Sequence, residues 1–252
     1  MQSLLSEHDP APVCSLRSDA RSRFVMIGDH AGASIPAALG DMGVSATDRG
    51  RHIAIDLGIE AIGRALSDRL DAPFLWQSYS RLVFDCNRAA DNPQATPAVS
   101  DGTPIPANRD LSEDGRRARQ TAIYDPYHDA ISSALDERGA DTVLVALHSF
   151  TPSMDGFDRP WEFGVLHDGH EDAFAMLVLA ELRKTGRTIG DNEPYRMDEV
   201  DYTIPRHAFA RGLSYVELEV RQDIAVSQKD AVVDILADCL TAALDQSARI
   251  TT

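Results

Sequence analysis

The sequence predicts an α/β protein, a single domain built on a mixed, mostly parallel sheet flanked by helices. Short apolar runs alternate along the chain with longer segments of helical period, the pattern of strands joined by helical crossovers. Unusual polar residues gather where the apolar runs end. No internal repeat and no long biased linker divides the 252 residues, a length that suits one large domain with a substantial core.

Residues 1–20 are mixed and aperiodic, with Asp9-Pro10 and Ala11-Pro12, and read as an irregular arm before a domain spanning 21–252. The first strand is Phe24-Val25-Met26-Ile27, ended by Gly28. A helix is expected from Thr47, as N-cap, to Leu70, because Ile53, Leu57, Ile62 and Leu66 recur at roughly helical spacing. Strand candidates follow at Phe74–Gln77 and Arg81–Asp85. Residues 89–114, rich in Pro, Asn, Asp and Gly, read as a long loop, and loops of that length are usually functional or mobile. Residues 116–138 look helical, and Thr142–Leu147 is a buried strand ending at His148. The segment 149–164 reads as irregular, with Pro152, Gly156, Pro160 and Gly164. Helices are expected at 170–185 and 228–245, with the strand Ser214–Arg221 between them.

Forty acidic against 24 basic residues give a formal net charge of −16. That argues against a nucleic-acid or anionic-membrane partner, whose binding relies on Lys and Arg displacing counterions. It leaves room for a small anionic substrate, since a few arginines in a cleft can hold a carboxylate whatever the global charge. Cys14, Cys86 and Cys239 are odd in number and widely spaced, so no disulfide framework is expected. With no signal-peptide pattern and no long uncharged apolar stretch, the expected location is the cytoplasm.

In an open α/β sheet, sites lie outside the carboxyl ends of the strands. Asp29-His30 ends the first strand here, and His148-Ser149 ends another. One such histidine alone is better read as a hydrogen-bonded structural residue; two at equivalent strand ends point to shared chemistry. Two imidazoles and a carboxylate are the protein ligands of catalytic zinc, with a position left for water. For the carboxylate, His52-Ile53-Ala54-Ile55-Asp56 places His52 and Asp56 four apart on the expected helix, where they share a face. A mutual surface contact explains that spacing equally well. In Ser214–Arg221, period two puts Val216, Leu218 and Val220 on one face and Glu217, Glu219 and Arg221 on the other. A solvated edge strand is the plain reading. A catalytic carboxylate is the sharper one, because a Glu beside a metal-bound water is the usual general base of metal hydrolases. Asp85-Cys86-Asn87-Arg88 is either a turn or a grip for a carboxylate, which a guanidinium fork matches in two-point geometry.

Taken together, these segments resemble the N-formylglutamate amidohydrolase family. The matching stretches are Gly28–Gly32 with Ile35-Pro36, His52–Gly58, Tyr79–Val83 running into Asp85–Arg88, and Ser100–Gly102. They continue in order with His148–Pro152, Arg159–Trp161, Gly190–Tyr195 and Val216–Asp223, covering residues 24–225. The family is similar in fold to the zinc carboxypeptidases and aspartoacylase, and three segments here carry that likeness. His148-Ser149-Phe150 is similar to their second zinc histidine segment, Asp85–Arg88 to their carboxylate-holding Asp-x-Asn-Arg, and Glu219-Val220-Arg221 to their Glu-x-Arg with the catalytic Glu. One departure stands out: the carboxypeptidases use His-x-x-Glu for their first two ligands, whereas Ala33 follows His30 by three.

The resemblance implies a zinc ion held by His30, Asp56 and His148, with His52 or Asp29 as alternatives to Asp56. It implies Glu219, rather than Glu217, as the base, and Arg81 or Arg159 sharing the charge of the oxyanion. Asn87 and Arg88 would grip the α-carboxylate, and Arg159, Asn192, His207 or Arg211 the side-chain carboxylate of a glutamyl substrate. Trp161 would cover the site. The implied reaction is zinc-dependent cleavage of N-formyl-L-glutamate to formate and glutamate. A deacylase or peptidase for another N-acyl amino acid or short peptide, and a non-catalytic binding module of the same fold, are the alternatives.

Overall fold

A computed structural model describes residues 3–169 and 172–250, with Ile250 described by its backbone alone. Among these residues seven strands form one sheet. They are β1 (Val13–Leu16), β2 (Phe24–Gly28), β3 (Phe74–Gln77), β4 (Val143–Phe150), β5 (Phe163–Leu166), β6 (Ile189–Asp191) and β7 (Ser214–Arg221). The spatial order is β1-β3-β2-β4-β7-β5-β6. Strands β3, β2, β4 and β7 run parallel. β1 and β5 are antiparallel to β3 and β7, and β6 runs parallel to β5. The sheet is therefore mixed and mostly parallel, as the alternation of strand and helix patterns predicts.

The central strands are apolar runs because both faces of the sheet are covered. On one face Met26, Phe74, Val145 and Leu218 pack against α1 (Ile59–Leu70), α3 (Ala173–Lys184) and α5 (Lys229–Ile250). On the other, Val25, Ile27, Leu144, Ala146 and Tyr215 pack against α2 (Asp125–Asp136) and the short α4 (Thr203–His207). A third cluster, with Met42, Ile53, Tyr79 and Leu82, lies under the loops.

Several sequence expectations change. The irregular arm contains β1, which pairs antiparallel with β3. The expected helix from Thr47 to Leu70 is split: Ala46–Arg49 is one short helix, α1 starts at Ile59, and Gly58 between them adopts φ +85°. Ile53 satisfies the helical spacing but belongs to the third cluster, and the chain at 50–58 turns so that the Asp56 amide donates to the His30 carbonyl at 2.9 Å. His52 and Asp56 therefore do not share a helix face. Arg81–Asp85 forms turns rather than a strand, closed by the Asp85 amide on the Ala95 carbonyl. The 89–114 loop holds a small hairpin, Val99–Ser100 with Thr103–Pro104. The 149–164 segment folds into a second one, Ser153–Met154 with Phe157–Asp158, and then enters β5.

The connection after β2 lies flat against the one after β3. The Ser34 amide donates to the Ser78 carbonyl, and the Ser80 amide to the Ser34 carbonyl. Gly32 permits this approach: a Cβ there would sit 2.2 Å from the Ser78 oxygen and 2.3 Å from that of Gln77. Backbone cannot yield as a flexible side chain can. Gly32→Ala is expected to cost about 3 kcal/mol, read from the urea midpoint; an unchanged midpoint would show that the two connections are loosely packed.

Candidate metal centre and substrate cleft

The face of the sheet that packs on α2 changes character toward the carboxyl ends of its strands. Val25 and Ile27 give way to Asp29 just past β2, Leu144 and Ala146 to His148, and Tyr215 to Glu217 and Glu219. Register pairs Glu217 with Ala146 and Glu219 with His148, so β7 turns polar one inward-facing position before β4 and both strands are polar at the next. Asp56 reaches this edge from the turn before α1. The result is a cleft of about 700 Å³ lined by His30, Asp56, His148, Glu217 and Glu219, with arginines along its rim.

His30, Asp56 and His148 each offer one ligand atom, and these atoms lie within 4.8 Å of one another. The His148 Nδ1 is 3.0 Å from Asp56 Oδ2, and the His30 Nδ1 is 3.6 Å from the same oxygen. Each imidazole is backed on its other side by a carboxylate. The His30 Nε2 meets Asp85 Oδ1 at 2.7 Å, and the His148 Nε2 lies 3.4 Å from Asp29 Oδ2. A carboxylate behind a histidine fixes the ring and its tautomer, which turns the opposite nitrogen's lone pair toward the ligand position. Since the His30 Nε2–H serves Asp85, its buried Nδ1 has no hydrogen-bond partner among the described residues.

Three electron-pair donors thus converge where a cation is needed between them. Two nitrogens and one carboxylate oxygen suit a borderline divalent ion, so the residues fit a metal. Without one, a proton serves the same electrostatic need. Burial alone would lower the His148 pKa, but Asp29, Asp56 and Glu217 more than offset it and raise the imidazole well above its ordinary value. Burial likewise pulls against the Asp56 carboxylate, yet the two histidines hold its pKa below the usual range.

The two glutamates shift the other way from Asp56, both upward. Burial, reinforced by Asp56, pushes Glu219 up to about 8 against the pull of His148 and Arg81. Burial and then Asp201 push Glu217 well above the ordinary carboxyl range. Glu219 Oε2 is buried with no hydrogen-bond partner among the described residues, so it is available to a molecule in the cleft. Arg81 Nε and Nη2 donate to Asp85 Oδ2 at 3.1 and 2.7 Å, while Nη1 reaches Asp56 Oδ1 at 3.5 Å.

Of the other residues singled out in the sequence, Asn87 and Arg88 line the cleft and Arg159, Asn192 and His207 do not. Arg159 is buried behind its wall, bonded to Thr151 Oγ1 and the Tyr195 hydroxyl, with its guanidinium over the Tyr195 ring. The Asn192 side-chain oxygen accepts the His167 amide, which ties the ends of β5 and β6 together outside the cleft. His207 is fully buried against His128, at 2.9 Å. Arg211 pairs with Asp136, and Trp161 packs near Phe157 rather than over the site. His52 lines the cleft but faces Asp101 at 3.5 Å, and Asp29 stands behind His148, so Asp56 alone of the three ligand alternatives joins the cluster. Asp201 and Arg196, both on the cleft wall, carry no signal in the sequence. They lie in an irregular segment, where no period marks a residue as facing anything.

Fold and site together define an α/β protein with a candidate two-histidine, one-carboxylate metal centre at the carboxyl edge of its sheet. The chain belongs to the N-formylglutamate amidohydrolase family, whose model matches residues 22–226, and it is accordingly a hydrolase of amide bonds. A gene product of Agrobacterium tumefaciens of known crystal structure is 35% identical, with 97% of this chain and 99% of that one covered and a TM-score of 0.93. The N-formylglutamate amidohydrolase of Ralstonia eutropha shares the fold at 20% identity and a TM-score of 0.69, over 95% of this chain and 99% of that one. Comparison with curated proteins gave no match. No helix among the described residues is long and apolar enough to cross a membrane.

The Glu219 shift has a sign that can be tested. Between its ordinary value of 4.5 and about 8, the folded chain keeps a proton that the unfolded chain has released. Stability therefore falls as pH rises through that window. In chelator-treated protein, Glu219→Gln should gain stability over the parent on going from about pH 5 to about pH 8, by urea unfolding at each pH. A constant difference would mean that Glu219 is ionised throughout.

Proposed function

We propose that this chain is a zinc-dependent amidohydrolase that removes the formyl group from N-formyl-L-glutamate, giving formate and glutamate. The observation that carries this reading is the unpartnered Glu219 oxygen, buried in the same cleft as the His30, Asp56 and His148 cluster and flanked by arginines. Family membership supplies the amide bond and the substrate class.

A divalent ion held by His30, Asp56 and His148, zinc by its donor set, would supply Lewis acidity to the acyl carbonyl and lower the pKa of water. The other roles fall to side chains. Glu219, with a pKa near working pH, is matched to taking a proton from the attacking water and returning it to the nitrogen. The water oxygen bonds to the acyl carbon, the carbon–nitrogen bond breaks, and the amine leaves protonated. Arg81, beside Asp56, lends positive charge where the acyl oxygen becomes anionic. Asn87 and Arg88 receive the α-carboxylate. Arg196, an exposed cation on the cleft wall with no ion-pair partner among the described residues, takes the side-chain carboxylate in place of Arg159, Asn192 or His207. The three free cysteines suit a reducing, cytoplasmic setting.

The test is formate release from N-formyl-L-glutamate by protein purified without chelators, with bound metal measured alongside. Glu219→Ala should lower kcat by about 10²–10⁴-fold and retain the metal, whereas His148→Ala should lose metal and activity together. Bound metal without formate release would redirect the reading to other N-acyl amino acids. Neither metal nor turnover after zinc is added would refute it.

A further inference from the structure

The pair assigned to the substrate carboxylate already holds one. Asp201 Oδ1 accepts from Asn87 Nδ2 at 3.3 Å and lies 3.6 Å from Arg88 Nη1. Its other oxygen accepts the Asp198 amide at 3.0 Å, which closes a local turn and aims the side chain into the cleft. The rest of the segment is hung on the same two residues. Arg88 Nη1 donates to the Val200 carbonyl, and Asn87 Oδ1 accepts the amides of Tyr202 and Thr203.

This arrangement has the chemistry of a bound carboxylate, an amide N–H and a guanidinium on one anion, supplied by the chain itself. A substrate carboxylate directed to Arg88 would meet the Asp201 charge at the same place, with Glu217 and Glu219 close by. Both anions cannot share the grip. Residues 192–202 make turns but no helix or strand, so moving Asp201 aside breaks no regular structure before α4 begins at Thr203.

We propose that Asp201 sets the selectivity of the cleft by occupying the Asn87–Arg88 grip in the free protein, so that a substrate carboxylate binds there only by displacing it. The inference rests on the reading that Asn87 and Arg88 take the α-carboxylate. Apparent affinity is the intrinsic affinity multiplied by the fraction of molecules with the grip open. Were Asp201 to fill the grip about nine-tenths of the time, an α-carboxylate ligand would bind about tenfold more weakly. A ligand with a neutral group at that position pays no such penalty.

The test compares the metal-loaded parent with Asp201→Asn on N-formyl-L-glutamate and on its α-carboxamide counterpart. The variant should lower KM for the acid about tenfold and leave KM for the carboxamide unchanged. Glutarate, a dicarboxylate with no scissile amide, should bind the variant more tightly by a similar factor in calorimetric titration, and adding Arg88→Ala should erase that gain. Asp201→Ser serves as a second variant, with the thermal midpoint of each confirming that it is folded. Equal shifts for acid and carboxamide, or weaker glutarate binding, would overturn the proposal and leave Asp201 a purely structural residue. Formate release by the parent with no change in KM or in glutarate affinity would also overturn it while the deformylase reading stands. No formate release, but tighter glutarate binding that depends on Arg88, would uphold the proposal while the substrate reading falls.

Discussion

Asp56 accepts the Ser149 amide at 3.3 Å, meets His148 at 3.0 Å, and lies against His30 and Arg81, all while buried. A carboxylate taken out of water is costly unless its lone pairs are met and its charge is balanced. Nearly every other feature of the cleft can be read as part of that balance. His30 and His148 both meet Asp56 Oδ2 and Arg81 meets Oδ1; Asp85 stands behind His30 and Arg81, and Asp29 behind His148. Nitrogen and carboxylate groups alternate outward from Asp56, so removing any one member leaves a buried neighbour without its partner. A cation at the centre would complete the pattern.

The same alternation explains why carboxyl groups a few ångströms apart behave so differently. Asp56 and Asp85 sit between cations and are held ionised, whereas Glu217 and Glu219 are buried beside other acids and hold their protons more tightly. Environments that drive neighbouring acids apart in pKa are how one site keeps a permanent anion and a proton carrier together. The sheet enforces the division. Glu217 and Glu219 project from β7, where burial dominates, while Asp56 and Asp85 come from connecting turns that can be placed against arginine.

Legibility in the sequence followed how local the determinant was. In β7, alternate apolar and charged residues gave the strand, its two faces and its carboxylates together, because period two is set by neighbours along the chain. His30 and His148 stood out because apolar runs end at them. The turn at 50–58 has the pattern of a helix in the sequence because Ile53 and Leu57 meet the helical spacing; only the third cluster, built from Met42, Tyr79 and Leu82, accounts for where Ile53 points. His207 and Asn192 were polar residues near recognisable stretches, and nothing in such a stretch says whether a side chain faces a cleft or closes a turn. Asp201 carried no signal at all, since its partners, Asn87 and Arg88, are more than a hundred residues away.

His207 nonetheless contributes to the cleft from beneath. The Cys86 carbonyl can only accept, so the 3.1 Å contact from His128 Nε2 assigns that nitrogen the proton. The His128 Nδ1 must then accept, which makes the His207 Nε2 its donor at 2.9 Å and leaves His207 Nδ1 to accept from Ser132. The bond from His207 to His128 holds in this direction while His128 is neutral. Burial ensures that, lowering His128 to about 3 and His207 to about 4. The chain ends on the carbonyl between Asp85 and Asn87, so the brace of His30 and the carboxylate grip hang from one fixed peptide. A charged His128 would set its Nδ1–H against the His207 Nε2–H, and a charge on either ring would add a positive charge under the cleft. The neutral pair fixes the turn while leaving the electrostatics above it to the arginines and acids of the wall.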